Sequence, residues 1–147
     1  MTWVLGLPTG HEHGQYLTVD LGGTNLRVCW ITLQERKGET EIEQDKYSLP
    51  SDTKTGTADQ LWSLVADALG DFIEKHNLGE SDAEPLPLSF TFSYPASQDY
   101  IDHGVLQRWN KGFDIQGVEG EDVVMQLRDA LDEKVSFPWL NLDVTAD

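Results

Sequence analysis

Two β-prone runs, Gln15 to Leu21 and Leu26 to Leu33, are separated only by Gly22-Gly23-Thr24-Asn25, and this spacing predicts two strands folded back on each other through a tight turn. The stretch through the bend, TVDLGGTNLRV over residues 18–28, gathers its acidic residue, glycines, threonine and asparagine at one place in an otherwise apolar run. Glycines let a backbone approach a ligand closely, consecutive amides form a concave anion site, and Thr24 and Asn25 add side-chain donors. Asp20, at the strand end, is placed to face a magnesium ion through water, because magnesium gives up its hydration reluctantly. The same residues suit a plain hairpin turn with Asp20 as a turn cap, and the short pattern alone does not choose between the two readings.

Glu41 to Leu49 reads as a third strand whose charge suits an exposed edge, and SLPSDTKTGT has the composition of a loop. The apolar period then changes from two to about 3.6. Leu61, Leu64, Val65, Ala68, Leu69, Phe72 and Ile73 form one helical stripe, with Thr57 and Gln60 spaced as a capping box at its start and Gly79 as the expected stop. Leu86 to Tyr94 alternates as a strand and ends at Pro95, which cannot continue a central ladder. An irregular stretch from Pro95 to Gly120 precedes a second helix with its stripe at Val124, Leu127 and Leu131, its positive end near Glu121 and Asp122. A loop of that length inside a compact domain is usually functional.

Charge narrows the partners. With 26 acidic against 10 basic residues, a net charge of -16 gives a long-range field that repels nucleic acid and anionic membrane surfaces, so any phosphate must be held by local donors. Cys29 is the only cysteine, which rules out an internal disulfide and a zinc-ligand cluster and is read as a small core residue in a strand. His11, His13, His76 and His103 are scattered, with no nucleophile within motif reach. No leader pattern and no membrane-spanning window occur in the sequence, so a cytoplasmic protein of one domain is expected.

LSFTFSYPASQDYIDHGVLQRWNKGF, Leu88 to Phe113, taken with VDLGGTNLRV, Val19 to Val28, closely resembles the eukaryotic hexokinase and glucokinase family, and the fungal glucokinases most in look. The resemblance runs from about Trp3 to about Glu133, with GVEGEDVVMQLRDAL similar to the family helix that follows the sugar loop. It implies an α/β fold of the ribonuclease-H-like, actin-type ATPase class, in which a five-stranded mixed sheet with flanking helices forms the smaller lobe. Residues 15–134 would be that lobe, 1–14 an N-terminal segment and 135–147 a divergent tail. It also implies transfer of the terminal phosphate of MgATP to the 6-hydroxyl of a hexose, glucose first, at the entry to glycolysis. Carried over by motif, Asp20, Leu21, Gly22, Gly23, Thr24 and Asn25 would be the phosphate-binding turn, with Asp20 toward Mg2+. Ser93, Tyr94, Asn110 and Lys111 would lie against the sugar, and Lys111 would help neutralise the transferred phosphate. A sugar pocket needs paired donors and acceptors, and phosphoryl transfer needs positioning and cations more than covalent chemistry.

The chain departs from the family twice. Asn110 stands where threonine usually precedes the lysine, which puts sugar specificity in question. The family continues after its helix into a strand and an Asn-Asp-Thr segment whose aspartate is the general base. Here the sequence reads VSFPWLNLDVTAD, with Pro138 interrupting the expected strand and Asn141, Asp143 and Thr145 not contiguous. The larger lobe, a partner any complete kinase requires, is also expected to be missing from this stretch. The expectation is a truncated kinase, inactive alone, with an open sheet edge. The alternative is a non-catalytic, hexokinase-derived protein that senses sugar or regulates a partner. Another actin-type member, such as a bacterial-style sugar kinase or a chaperone ATPase, fits FTFSYP and RWNKGF less well.

Overall fold

The structure, a computed structural model, describes residues 7, 9–34, 39–78, 86–134 and 140–141. In chain order the elements are β1 (Gly14–Leu21), β2 (Asn25–Leu33), β3 (Thr40–Ser48), a 3-10 turn (Thr53–Thr55), α1 (Ala58–Lys75), β4 (Leu86–Phe92), β5 (Ala96–Ser97), β6 (Val105–Leu106), α2 (Val123–Lys134) and β7 (Leu140–Asn141). Five strands make one mixed sheet in the order β3-β2-β1-β4-β7. The hairpin closes antiparallel with Leu21 opposite Leu26 and Asp20 opposite Arg27, while β4 runs parallel to β1 from Leu17–Leu88 to Leu21–Phe92.

Alternation decides which side chains reach the core. Leu17, Val19 and Leu21, Leu26 and Val28, and Leu88, Phe90 and Phe92 are buried together on one face, and their neighbours Thr18, Asp20 and Thr91 are only half-buried. Against that face lies the stripe of α1, including Leu61, Trp62, Val65, Leu69, Phe72 and Ile73. Full burial of each large apolar side chain contributes about 1.5–3 kcal/mol. α2 packs on α1 through Val123, Val124, Leu127 and Leu131, and the Trp62 indole N–H donates to Gln126 Oε1 at 2.8 Å between the two helices.

The capping box at Thr57 and Gln60 is present, both of its bonds made. The other end of α1 stops differently from expectation. Asn77 takes a left-handed conformation, φ 52°, its N–H donates to the Glu74 carbonyl and the Leu78 N–H reaches back to the Ile73 carbonyl. That is a Schellman closure with asparagine where glycine is more common, and Gly79 lies outside the described residues. β3 is the charged edge strand: its Asp45 receives Lys75 Nζ at 2.6 Å and its Glu43 pairs with His76, both donors at the end of α1.

Three further expectations are corrected. Cys29 is half-buried on the sheet face away from the core, its thiol 3.6 Å from Gln44 Oε1, because strand alternation turns it opposite to Val28. The stretch from Pro95 to Gly120 is not wholly irregular, since β5 and β6 pair as a short antiparallel ribbon. The sheet edge beside β4 is not wholly open: β7 pairs in parallel with Leu86 and Pro87, so a strand follows the position where Pro138, itself outside the described residues, was expected to interrupt one. Trp3 and Trp139 also lie outside the described residues.

Candidate functional site

The turn expected to hold phosphate and the loop expected to hold sugar, distant in sequence, come into contact at the ends of β1 and β4. Parallel pairing sets Leu21 beside Phe92, so the chain leaving β4 passes the hairpin turn, and the Ser93 N–H donates to the Leu21 carbonyl at 3.4 Å. Tyr94 is buried, 7% exposed, with its hydroxyl donating to the Gly22 carbonyl at 2.9 Å. It packs edge-on against Trp109 and Phe113, whose rings stack at 5.3 Å. This aromatic block holds the loop that follows β4, and Trp109 is further fixed by its N–H on Glu119 at 2.6 Å and its indole N–H on the Ile115 carbonyl at 3.0 Å.

Lys111 and Gly112 both have positive φ, 55° and 82°, and the Phe113 N–H closes the bend on the Asn110 carbonyl at 3.0 Å. A lysine held there is strained by about 1–2 kcal/mol. Its stem lies on Gly23, where an added Cβ would stand 3.1 Å from Lys111 Cδ and 3.2 Å from its Cβ. Its ammonium donates to the Ser93 carbonyl at 2.5 Å and sits 4.9 Å from the centre of the Tyr94 ring. The absent side chain of Gly23 therefore leaves room for the Lys111 stem at the turn.

Within the turn, Gly22 N–H donates to the Asn25 carbonyl at 3.0 Å and the Asn25 amide donates to Thr24 Oγ1 at 3.0 Å. Gly23 N–H and Thr24 N–H find no acceptor among the described residues. Asp20, one-third exposed, has Arg27 Nη1 3.5 Å from its carboxylate, so Arg27 both pairs with an acid and borders the turn. Among the described residues no group of three His, Cys, Asp or Glu side chains gathers as a metal cage.

The expected residues differ in what they offer. Ser93, Thr24, Asn110 and Lys111 are exposed. Leu21 contributes only backbone, its side chain being wholly buried in the core. Tyr94 lies beneath the site as a strut. Burial first, then the negative charge of Asp20, pushes its phenol well above the ordinary tyrosine range, so it stays a proton donor. Sequence reasoning missed Lys54, placed in a loop by composition. The 3-10 turn carries it under the hairpin, where its ammonium donates to the Gly23 carbonyl at 2.7 Å and lies 5.2 Å from the centre of the Phe113 ring. The Asp114 N–H donates to the Lys54 carbonyl at 2.8 Å and keeps the two segments together. Its position two residues after Asp52, which caps the 3-10 turn, was the available signal.

A family model described as hexokinase matches residues 1–146. Among curated relatives, the hexokinase of Emericella nidulans is 58% identical over 134 residues, covering 91% of this chain and 27% of that protein. Hexokinase-1 of Saccharomyces cerevisiae is 50% identical, covering 90% of this chain and again 27% of the relative. The chain thus spans about a quarter of the length of these fungal relatives, all named hexokinase. The solved hexokinase of Schistosoma mansoni, complexed with glucose, superposes with a TM-score of 0.83 at 36% identity and covers 98% of this chain and 31% of that one. The mixed sheet and helices are accordingly those of the actin-type small lobe, and the chain belongs to the hexokinase family.

Proposed function

We propose that residues 15–134 supply the small lobe of a cytoplasmic, ATP-dependent hexose kinase, phosphorylating glucose at its 6-hydroxyl. The observation that carries this reading is the junction of the two motifs, with Tyr94 bonded to Gly22 and Lys111 laid on Gly23. In this reading Gly23 and Thr24 N–H receive a phosphate of ATP, Asp20 orients hydrated magnesium, and Ser93 and Asn110 meet sugar hydroxyls. Lys111 leaves the Ser93 carbonyl to face the transferred phosphate, where a cation stabilises the charge of the transition state. Magnesium, when bound, draws charge from the phosphate oxygens. No contiguous Asn-Asp-Thr occurs in the 147 residues, so the general base and the opposing wall come from elsewhere in a working kinase.

The test is titration of the folded chain with glucose and with MgATP, read by tryptophan fluorescence at Trp109, alongside a coupled turnover assay. Binding without turnover is expected. Absence of binding to either ligand overturns the site reading, and turnover by the chain alone overturns its inactivity. The mass of the native product decides the context. A mass several times 16.5 kDa supports a kinase, and one near 16.5 kDa favours the sugar-sensing alternative.

A further inference from the structure

Three successive carbonyls of the hairpin turn are each taken by a donor from a different part of the chain. Tyr94, after β4, holds Gly22 O at 2.9 Å; Lys54, on the 3-10 turn, holds Gly23 O at 2.7 Å; and the Leu49 N–H, after β3, holds Thr24 O at 3.1 Å. In a trans peptide the C=O and the N–H of one unit point in opposite directions, and no described peptide is cis. Fixing Gly22 O therefore aims the Gly23 N–H away from Tyr94, and fixing Gly23 O aims the Thr24 N–H away from Lys54. Neither of these two amides has an acceptor among the described residues.

We infer that Tyr94 and Lys54 are positioning residues that set the orientation of the Gly23 and Thr24 amides for phosphate from behind, an inference that rests on the reading of this turn as the phosphate site. Glycine peptides rotate freely, so without outside donors an anion would have to order both units as it binds. Each donor suits the task. Tyr94 is buried among Phe92, Trp109 and Phe113 and cannot swing away. Lys54 is half-buried and braced near Phe113, so its ammonium is directed to one carbonyl. Lys54 adds a second consequence: its charge on the Gly23 carbonyl polarises the peptide unit that ends in the Thr24 N–H and strengthens that donor.

The experiment is an amide NMR titration of the chain with inorganic tripolyphosphate and Mg2+, comparing the wild type with Tyr94→Phe, Lys54→Met and Lys54→Arg. Support is wild-type shifts centred on Gly23 and Thr24, with roughly three- to tenfold weaker binding in Tyr94→Phe and Lys54→Met, the value of one hydrogen bond. Both variants should also move the Gly23 and Thr24 amides before ligand is added, and Lys54→Arg should restore binding. If the wild type titrates and both variants bind as tightly, the positioning roles are wrong and the phosphate turn stands. If Lys54→Met weakens binding while the free amides stay in place, Lys54 touches phosphate directly and its positioning role is overturned. If the wild-type amides do not respond, the phosphate reading fails and takes the inference with it.

Discussion

Replacing Asp122 with alanine removes one oxygen that serves two donors. Asp122 Oδ1 accepts from the Val124 N–H at 3.0 Å, capping α2, and from the Gly104 N–H at 3.1 Å, anchoring the residue that enters β6. Loss of the cap costs about 1 kcal/mol. Gly104 is buried, so its stranded N–H costs about 1–2 kcal/mol more, and the substitution totals about 2–3 kcal/mol. For a chain of this size that lowers the melting temperature by about 6–10 °C. Asp122→Asn keeps an acceptor oxygen at the same place and should lose no more than about 0.5 kcal/mol. Thermal and urea unfolding followed by circular dichroism measures both variants. Equal losses in the two would show that the negative charge at the positive end of α2 matters and the acceptor does not. A loss below about 0.5 kcal/mol in the alanine variant would refute the double role altogether. The functional consequence is local: Gly104 leads through β6 to Trp109 and Lys111, so amide exchange across residues 105–113 should quicken in Asp122→Ala more than elsewhere.

Two other perturbations test the site and its frame. Gly23→Ala meets no backbone barrier, since Gly23 is not among the glycines of positive φ, and stability should change by no more than about 1 kcal/mol. The new methyl displaces Lys111, which shows as loss of the ring-current shift on its side-chain protons above Tyr94; a fall of more than about 3 kcal/mol would mean that the backbone itself requires glycine. Acid should act first at the surface ties. The Thr9 N–H, with the Gly10 N–H and the Thr9 hydroxyl, holds the Glu12 carboxyl down to about 2 from an ordinary 4.5, so its stabilisation is full above 4.5 and is lost as pH falls toward 2. The Lys75 hydrogen bond, helped by His76, likewise lowers Asp45, and its tie between α1 and β3 is lost as pH falls through that lowered value. A carboxyl NMR titration that finds Glu12 ionising near 4.5 removes the first of these.

Short-range physics made much of the fold legible. Alternation in Leu17, Val19 and Leu21 and the 3.6 period of Leu61 to Ile73 follow from side-chain geometry that repeats within a few residues, and the Thr57 capping box is complete within four. The stop of α1 was misplaced because asparagine and glycine compete for the left-handed position, and a two-residue difference in register is invisible to composition. Cys29 was misread because a half-exposed strand face still carries apolar residues, here Ile31 on the same side.

The candidate site divides along the same line. The sequence by itself determined that a glycine turn bearing Asp20, Thr24 and Asn25 ends a strand, and that a second motif ending in Lys111 follows a long loop, because each motif is local. Only the tertiary structure decided that parallel pairing of β1 with β4 brings them together, that Tyr94 is a buried strut rather than open surface, and that Lys54, whose one local signal is the preceding Asp52 cap, reaches the Gly23 carbonyl. Those facts depend on contacts between residues 31 to 72 positions apart, and no local propensity encodes which partner a carbonyl will find once the core has closed.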